Sequence, residues 1–384
     1  MKNSIAFVMT WRVGISEWEL LGISGRETKL WKEYYERGWD VWVVSSSKRD
    51  ARRLMEIKEK YPDFTFLLSG QNFLNIQNLK EILIFGIASR RLVKRGGTVV
   101  VRTNQLLGSH TGVFLKLLTN GQLIIRQGFN AVDNTEASAS VENYKIYFLK
   151  LYEKIFVRKA HSLEFTSVDS AKRTLERTKV NKPYKVVPNF VDLELWKRSA
   201  ETGYPHVRDK VVIGFFGRLE EEKNLLNLMV ATSQVSGVEL VIIGNGSLHK
   251  KVWEKAQIDP SKFKISNRKT QEEIVSMAEQ WDFAVFPSLF EGNPKAILEV
   301  LLLGVPVLAT NVRGINDIVI HGENGFLVDG TDVQDIAKLL EYGKESTLET
   351  RAKLSLNGQR LIAKKHGLKS IVESQIQTYG IEPM

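Results

Sequence analysis

Two glutamates stand eight positions apart in FPSLFEGNPKAILEVLLLGVPVLATNVRG, residues 286–314. Glu291 lies in a Phe-Glu-Gly turn, and Glu299 interrupts the otherwise apolar run 296–303. A helix that is apolar all round is a buried helix, and an ionised carboxylate within it costs several kcal/mol unless a polar group meets it. Glu299 is therefore either satisfied within the core or oriented toward a ligand hydroxyl.

The spacing of the two glutamates favours ligand binding over hydrolysis. Eight helical residues span about 12 Å, whereas the two carboxylates of a glycosidase lie roughly 5 to 9.5 Å apart. Asn293 as N-cap and Pro294 in the first helical position predict a helix start between the glutamates, where N–H groups and the positive dipole end favour a phosphate. A sugar nucleotide, with sugar, diphosphate and ribose in a row, has the matching layout.

The elements around this segment alternate between strand and helix. A parallel sheet covered by helices on both faces has this order, and its ligands bind beyond the carboxyl ends of the strands. Glycines and charged residues follow the first, second and fourth predicted strands there: Gly217, Arg218, Gly244, Gly246 and Glu291. The predicted strands are KVVIGFFG, VELVIIGNG, FKIS, DFAVFPS and VPVLAT, and the predicted helices are NLLNLMVATSQV, HKKVWEKAQI, QEEIVSMAEQW and the one that Pro294 begins.

The first half of the chain follows the same pattern less regularly. The loop NAVDNTEASASVEN (130–143) has the composition of a mobile segment, and the polar, Pro-containing segment 187–210 predicts a hinge. The predicted strands are SIAFVMTW, WDVWVVSSS, EILIFGIA, GTVVVR and QLIIRQG, and the predicted helices are GRETKLWKEYYERG and NYKIYFLKLYEKIFVRKAH.

Length and composition set outer limits. A chain of 384 residues is too long for one ordinary core and predicts two domains. Its hydrophobic content of 43% is typical of a globular protein, and the lack of cysteine excludes disulfides and thiolate metal sites, which fits a reducing cytoplasm. The apolar run in MKNSIAFVMTW is too short for a signal-peptide core, and no run approaches the roughly 18 apolar residues of a membrane span.

Positive charge is concentrated in the first half. Residues 1–200 hold 33 Lys and Arg against 20 Asp and Glu, whereas residues 201–384 hold 21 against 24. Such a half favours an acidic partner, although it also suits a merely soluble surface. The candidate contacts are the stretch SRRLVKR (89–95) and the aromatic-basic helix at 144–159, whose Ile146, Leu149 and Phe156 are predicted to face the core.

Four phrases together resemble the retaining GT-B glycosyltransferases of family 4, the glycosyl transferases group 1: FGRLEEEKN, VIIGNGSLHKKV, PSLFEGNPKAILEVLLLGVPVLAT and GENGFLVDG. The resemblance covers residues 210–330 and weakens toward the N-terminus. It implies an α/β fold of two Rossmann-like, doubly wound parallel-sheet domains facing across a cleft. The expected parts are an acceptor-binding domain at 1–190, a hinge linker at 191–209 and a donor-binding domain at 210–365, with a C-terminal helix at 366–384 packed back onto the first domain.

In the donor-binding domain, the resemblance implies separate tasks for the charged residues. Arg218 and Lys223 hold the donor diphosphate, a task that suits a guanidinium fork and a compact ammonium. Glu291 binds hydroxyls of the transferred sugar, and Glu299 binds the nucleotide ribose. Taken alone, the two basic residues are as easily solvated surface charges, like the glutamates 220–222 between them. The backbone at the helix start joins the donor site through Gly292, Asn293, Pro294 and Lys295.

Glycines of both domains complete the implied site. Gly217, Gly244 and Gly246 let the backbone approach the nucleotide. Gly22 and Gly25 correspond to a glycine loop of the first domain that faces the phosphates. A Gly-x-Gly pair is also common in ordinary strand-to-helix turns.

The chain departs from the family at one position. Family members often carry His-Gly after a central strand of the first domain, where this chain has IIRQGF, so Arg126 is the candidate to stabilise the leaving phosphate. His110, the nearby histidine, is expected to be structural. No Asp-x-Asp occurs in the sequence, so charge neutralisation falls to Arg218, Lys223 and the helix dipole, which predicts metal independence.

The sequence thus predicts a retaining hexosyltransferase that moves a sugar from a nucleoside diphosphate sugar, with UDP preferred, to an acceptor hydroxyl in cell-surface polysaccharide, glycolipid or glycan assembly. The expected partners are this donor, a sugar or lipid-linked acceptor and an anionic membrane surface, but no nucleic acid, cofactor or metal. The expected location is the cytoplasm, at the inner face of the membrane. A sugar-nucleotide epimerase of the same architecture and a non-catalytic sugar-nucleotide-binding protein are the alternatives.

Overall fold

The computed structural model describes residues 2–21, 23–69, 79–93, 96–128, 131–137, 142–199 and 204–380. The chain forms two compact units, one of Met1–Pro188 with Lys369–Met384 and one of Asn189–Leu368. In none of the described ranges is a helix long and apolar enough to cross a membrane.

The first unit is built on a parallel sheet of seven strands. Central positions such as Ile5, Val100 and Ile124 are fully buried, as expected where helices cover both faces. In chain order the strands are β1 (Lys2–Val8), β2 (Asp40–Ser45), β3 (Thr65–Leu68), β4 (Gly96–Thr103), β5 (Gln122–Gln127), β6 (Ser162–Phe165) and β7 (Tyr184–Val186). They pair in the order β3-β2-β1-β4-β5-β6-β7. The chain thus adds β2 and β3 on one side of β1 and then crosses to the other side, where β4 pairs with β1.

Helices connect these strands. In the described part of the first unit they are α1 (Ile15–Leu20), α2 (Ser24–Glu36), α3 (Lys48–Arg52), α4 (Leu54–Lys60), α5 (Leu79–Val93), α6 (Ser109–Thr119), α7 (Ala131–Ala137), α8 (Asn143–Lys159) and α9 (Val168–Thr178). The C-terminal α16 (Leu368–Thr378) leads into the same unit, where the Tyr34 hydroxyl donates to Gln375 Oε1 at 3.0 Å.

The segment EILIFGIA, predicted as a strand, lies within α5, so that prediction is wrong. Phe85, Ser89 and Leu92 are buried, while Ile87 and Arg90 are exposed. Buried positions three and four residues apart follow the period of a helix. A short, wholly apolar run carries no such period, and for that reason it does not distinguish a strand from a helix.

The expected mobile loop 130–143 contains α7, so the loop prediction is wrong for Ala131–Ala137. Asp133 of this helix pairs with Arg177 of α9 at 2.7 Å, with its carboxylate buried. The ion pair joins α7, whose residues are mostly small or polar, to α9. Residues 130 and 138–141 of the loop lie outside the described residues.

The second unit is built on a parallel sheet of six strands, all with buried apolar positions. The strands are β8 (Val211–Phe216), β9 (Val238–Ile243), β10 (Phe263–Ser266), β11 (Phe283–Phe286), β12 (Val307–Thr310) and β13 (Gly325–Val328). Its helices are α10 (Leu225–Gln234), α11 (His249–Ala256), α12 (Gln271–Ala278), α13 (Lys295–Leu302), α14 (Val333–Glu345) and α15 (Leu348–His366).

The sequence-based prediction of two doubly wound parallel sheets is confirmed. Residues 191–209, expected as a hinge linker, are assigned to the second unit. Trp196 within them is 1% exposed and stacks on Phe216 of β8, with ring centroids 5.7 Å apart. Trp196 therefore packs into the core of the second unit.

Candidate active site

The second sheet has its topological switch point beside β8. The strands pair in the order β10-β9-β8-β11-β12-β13, so the chain runs from β8 to β10 on one side and then returns to β11 on the other. In open parallel sheets the crevice at such a point, beyond the carboxyl ends of the strands, is where ligands bind. The loops that follow β8 and β11 both leave the sheet there.

The loop after β8 packs against the turn after β9 through close backbone contacts. A side chain at Gly244 would meet the carbonyl oxygen of Gly217 at 1.9 Å, and one at Gly246 would meet that of Leu219 at 2.5 Å. The amide of Leu219 in turn donates to the carbonyl of Asn245 at 3.0 Å. Glycine is therefore required at both positions of the turn for packing, whether or not a nucleotide lies against it.

Glu220 and Glu222, expected to be solvated surface charges, also make contacts within this loop region. Glu220 accepts hydrogen bonds from the amide of Ser247 at 3.1 Å and from its hydroxyl, and the Ser247 hydroxyl lowers the pKa of Glu220. Glu222 accepts from the Arg218 guanidinium at 2.7 Å. The Arg218 side chain itself is 66% exposed.

Lys223 and Glu291 meet at the switch point. The Lys223 ammonium lies 2.5 Å from Glu291 Oε1, and the Ser288 hydroxyl donates to the same oxygen at 2.9 Å. The amide of Leu289 donates to the carbonyl of Glu222 at 2.8 Å, which joins the two loops through their backbones as well. The arrangement brings together a cation and a carboxylate that are 68 positions apart in the sequence.

The loop after β11 is held rigidly from its other side. The Thr310 hydroxyl donates to the Ser288 carbonyl at 2.6 Å, and the Glu291 amide donates to the Arg313 carbonyl at 3.2 Å. A side chain at Gly314 would lie 2.6 Å from the Glu291 carbonyl oxygen. Glu291 is thus fixed by the strand end and by the loop after β12.

The helix between the two glutamates starts one residue later than predicted. α13 begins at Lys295, and Pro294 is its N-cap with an extended backbone, so the assignment of Asn293 as N-cap is wrong. The side chain of Asn293 accepts instead from the amide of Asn189 at 3.2 Å. Lys295 lies over the ring of Phe190, 5.8 Å from its centroid. Residues 189–190 therefore brace the start of this helix.

Glu299 lies on α13 as a buried carboxylate, 4% exposed, among fully buried apolar residues. A side chain at Gly358 of α15 would lie 3.0 Å from Leu301, so that face of α13 packs on α15. Glu299 is two residues from Leu301, about 200° around the helix, and it shares a face with Lys295. The side of α13 that carries Glu299 is therefore opposite the side that packs on α15.

Residues 199–361 match the family model of glycosyl transferases group 1. The matched range lies within the second unit and contains both loops of the switch point. The second unit is a group 1 glycosyl transferase domain. We call residues 199–361 the group 1 domain.

Curated relatives agree with this assignment. The capsular polysaccharide biosynthesis glycosyltransferase CapM of Staphylococcus aureus is 27% identical over 63% of this chain and 67% of its own length. A UDP-Gal:alpha-D-GlcNAc-diphosphoundecaprenol alpha-1,3-galactosyltransferase of Escherichia coli is 29% identical over 40% of this chain. The match spans 43% of that second relative.

A solved structure resembles the chain over nearly its whole length. HepE of Anabaena, solved in complex with UDP and glucose, has a TM-score of 0.73 and 17% identity over 99% of this chain and 100% of its own. The likeness extends the fold beyond the group 1 domain to the first unit. The GT-B fold class predicted from the sequence is confirmed.

The predicted site residues of the first unit precede the group 1 domain in the sequence. Gly25 is exposed near the start of α2, and Gly22 lies outside the described residues. His110, near the start of α6, forms a hydrogen bond of 2.8 Å through Nδ1 with the Tyr152 hydroxyl, and burial lowers its pKa. This contact is of the structural kind expected for His110.

Arg126 is part of a buried cluster at the end of β5. Its guanidinium donates to the Val187 carbonyl at 3.2 Å and lies 3.6 Å from Glu164 Oε2. Glu164 also pairs with Arg102 at 2.9 Å. Burial, followed by the nearby Arg102 charge, lowers the pKa of Arg126 to about 10. These contacts account for Arg126 structurally, and its role toward a leaving phosphate stays a prediction.

Among the predicted residues, the structure thus brings Lys223 and Glu291 into contact. Arg218 contacts Glu222, the residue before Lys223. Two residues that contact the predicted site residues were not predicted from the sequence. Ser288 stands three residues before Glu291, inside the same motif, and its hydroxyl was a usable signal. Asn189 had no such signal, because it contacts Asn293 across 104 positions.

Proposed function

We propose that the chain is a retaining, metal-independent hexosyltransferase that moves a sugar from a nucleoside diphosphate sugar, with UDP preferred, to an acceptor hydroxyl. The observation that carries the proposal is the contact between Lys223, Glu291 and Ser288 at the switch point of the group 1 domain. The names of the E. coli relative and of the HepE complexes support UDP as the nucleotide. The same relative supports a lipid-linked acceptor.

Each charged group has a task in such a transfer. The bond between the anomeric carbon and the phosphate oxygen breaks, and its electron pair leaves with the diphosphate. The acceptor oxygen bonds to the same carbon and loses its proton to an oxygen of the departing diphosphate. Lys223, Arg218 and the positive end of α13 stabilise the charge that develops on the diphosphate, and Glu291 binds sugar hydroxyls. Retention of configuration is carried over from the family resemblance.

A donor panel tests the proposal. The protein is incubated with UDP-, GDP- and ADP-sugars, and free nucleotide and sugar identity are measured. Release of free nucleotide supports transfer, and an altered sugar on intact nucleotide would identify an epimerase. Nucleotide-dependent thermal stabilisation without turnover would identify a binding protein, since a ligand at 100 times its Kd stabilises by about 2.7 kcal/mol.

Glu299 is proposed to bind the ribose. Glu299→Gln is expected to weaken UDP binding by about 10- to 150-fold, because it exchanges a charge-assisted hydrogen bond for a neutral one, worth about 1.5–3 kcal/mol. Calorimetry measures the affinity, and Glu239→Gln, a surface glutamate paired with Lys264 at 2.7 Å, is the control. Unchanged affinity in Glu299→Gln would assign this carboxylate to the core.

Metal independence is tested by chelation. If Lys223, Arg218 and the α13 dipole neutralise the diphosphate, transfer should continue in excess EDTA at the rate measured without it. The measurement is donor turnover before and after EDTA, with Mg²⁺ or Mn²⁺ then restored. Loss of turnover in EDTA and its recovery with either ion would contradict the metal-free proposal.

A further inference from the structure

Helix α8 carries an apolar stripe on its outer side. Tyr147 is 65% exposed and Phe148 62%, and the other exposed apolar residues of the helix are Tyr144, Leu151 and Ile155. Their spacing of three, four and seven residues places all five within an arc of about 100° on a helix of 3.6 residues per turn. A stripe of this kind on a surface helix normally faces a core.

The core-facing side of α8 is a different one. Glu153 and Val157 are buried, and they lie about 180° and 140° around the helix from the centre of the outer stripe. Ile146, Leu149 and Phe156, predicted to be the core face, are half-buried along that inner side. The helix is thus apolar on two opposite sides, of which the outer one is exposed to solvent.

Basic residues flank the outer stripe. Lys154 lies on one side of it around the helix, and Lys145 and Lys159 lie on the other, whereas Arg158 continues the stripe at its C-terminal end; all four are exposed. The sequence of α8 holds one acid, Glu153, which is buried. The exposed side of the helix therefore combines aromatic and aliphatic groups in the middle with positive charge at both margins.

The neighbouring helices extend this surface. α5 packs beside α6, and α6 beside α8, on one side of the first sheet. Leu117 of α6 is 75% exposed and Ile87 of α5 is 57% exposed. The exposed Arg90 and Arg91 lie in the last turn of α5, and Lys116 donates to the Lys159 carbonyl at 2.9 Å. Of the basic stretch 89–95 named from the sequence, Lys94 and Arg95 lie outside the described residues.

We propose that the outer side of α8, with the adjoining parts of α5 and α6, binds an anionic lipid membrane, with α8 lying in the plane of the interface. Tyrosine and phenylalanine are favoured at headgroup depth, and lysine and arginine stems extend from there to lipid phosphates. The net charge of +13 in residues 1–200 complements such a surface. The inference goes beyond the proposed function and does not depend on it.

Co-sedimentation of the full chain with vesicles tests the proposal. Wild type is expected to bind vesicles of phosphatidylcholine with phosphatidylglycerol at low salt, to bind them less at high salt, and to ignore pure phosphatidylcholine. Exposed charges are screened beyond about 8 Å at physiological ionic strength, which gives the salt dependence. Failure of wild type to bind anionic vesicles at low salt would overturn the proposal.

Two triple variants test the surface itself. The apolar triple is expected to bind at least about tenfold more weakly and the charge triple about a hundredfold more weakly at low salt. The apolar triple is Tyr147→Ser, Phe148→Ser and Leu151→Ser, and the charge triple is Lys145→Gln, Lys154→Gln and Arg158→Gln. The control triple changes three exposed apolar residues outside this surface, and it should bind as wild type does: Val168→Ser, Ile258→Ser and Leu356→Ser.

UDP affinity, melting temperature and oligomeric state separate membrane binding from misfolding and from self-association. All variants should keep the UDP affinity and melting temperature of wild type, because the changed side chains are exposed. Vesicle binding by the apolar triple at the wild-type level would overturn the proposal. So would a dimer of wild type in analytical ultracentrifugation that the apolar triple dissolves, because a second copy of the chain would then cover this surface. Wild type that binds the vesicles but transfers no sugar would contradict the proposed function alone.

Discussion

Lys223→Met should lower the rate of sugar transfer by about 100- to 1000-fold, the loss measured when a preorganised charge at a transition state is removed. The ammonium is held 2.5 Å from Glu291 at the switch point of the sheet, so its position is fixed before the donor binds. Methionine keeps most of the length of the side chain and removes its charge. The measurement is kcat and KM for the donor identified by the panel.

The variant should remain folded. Lys223 and Glu291 keep 15% and 11% of their side-chain surface exposed, so breaking this ion pair should cost less than the about 3–5 kcal/mol of a fully buried pair. Ser288 still donates to the Glu291 carboxylate in the variant. A fall in rate with an unchanged melting temperature therefore identifies a role in catalysis.

Lys264→Met provides the matched control. Lys264 also pairs with a glutamate, Glu239, at 2.7 Å, but the pair joins β10 to β9 away from the switch point. Its loss should leave the transfer rate unchanged. Full activity of Lys223→Met, or equal losses in the two variants, would remove Lys223 from the proposed site.

The strands of the group 1 domain could be predicted because their apolar runs are short and bounded by turn residues. FKIS coincides with β10, and VELVIIGNG contains β9 followed by the glycine turn. The loop ends of such strands meet at one edge of a parallel sheet, which is why Arg218 and Glu291 could be assigned to one edge from their order, whereas Lys223 was assigned to the site by the family resemblance. Local pattern and global topology agree in this unit.

The remaining errors occurred where local pattern leaves two structures equally compatible. EILIFGIA is apolar at every position but the first, so it shows neither the period of a helix nor that of a strand. In α8, by contrast, apolar residues occur on two sides, and the side predicted to face the core, with Ile146, Leu149 and Phe156, is the inner one. The role of Arg126, taken from the family resemblance, stays a prediction, and its contact with Glu164, which joins residues of neighbouring strands, was not predicted. Contacts across distant segments leave no local signal in the sequence.

The same buried cluster leads to the second large expected effect. Glu164→Gln should lower the free energy of unfolding of the first unit by about 3–5 kcal/mol, because it leaves Arg102 and Arg126 buried without their shared counter-charge. Glu164 is 0% exposed and also accepts from Tyr379 at 3.1 Å and from Gln375 at 3.3 Å, which tie the end of the chain to β6. Denaturant titration with hydrogen exchange at β5 and β6 measures the loss where it arises.

The pH dependence of that loss checks its electrostatic origin. Burial opposes ionisation of Glu164, but Arg102 and Arg126 outweigh it and lower the pKa of this carboxyl. A lowered folded-state pKa contributes stability that is fully present above the unfolded value of about 4.3 and is lost as pH falls through the folded value. The difference in unfolding free energy between wild type and Glu164→Gln should therefore be constant near neutral pH and shrink in acid.

Asp169→Asn, which breaks the exposed pair with Arg173 at 3.1 Å, is the control and should cost less than about 1 kcal/mol. A Glu164→Gln loss no larger than that of the control, or one that grows as pH falls, would show that the cluster does not hold this part of the first unit together.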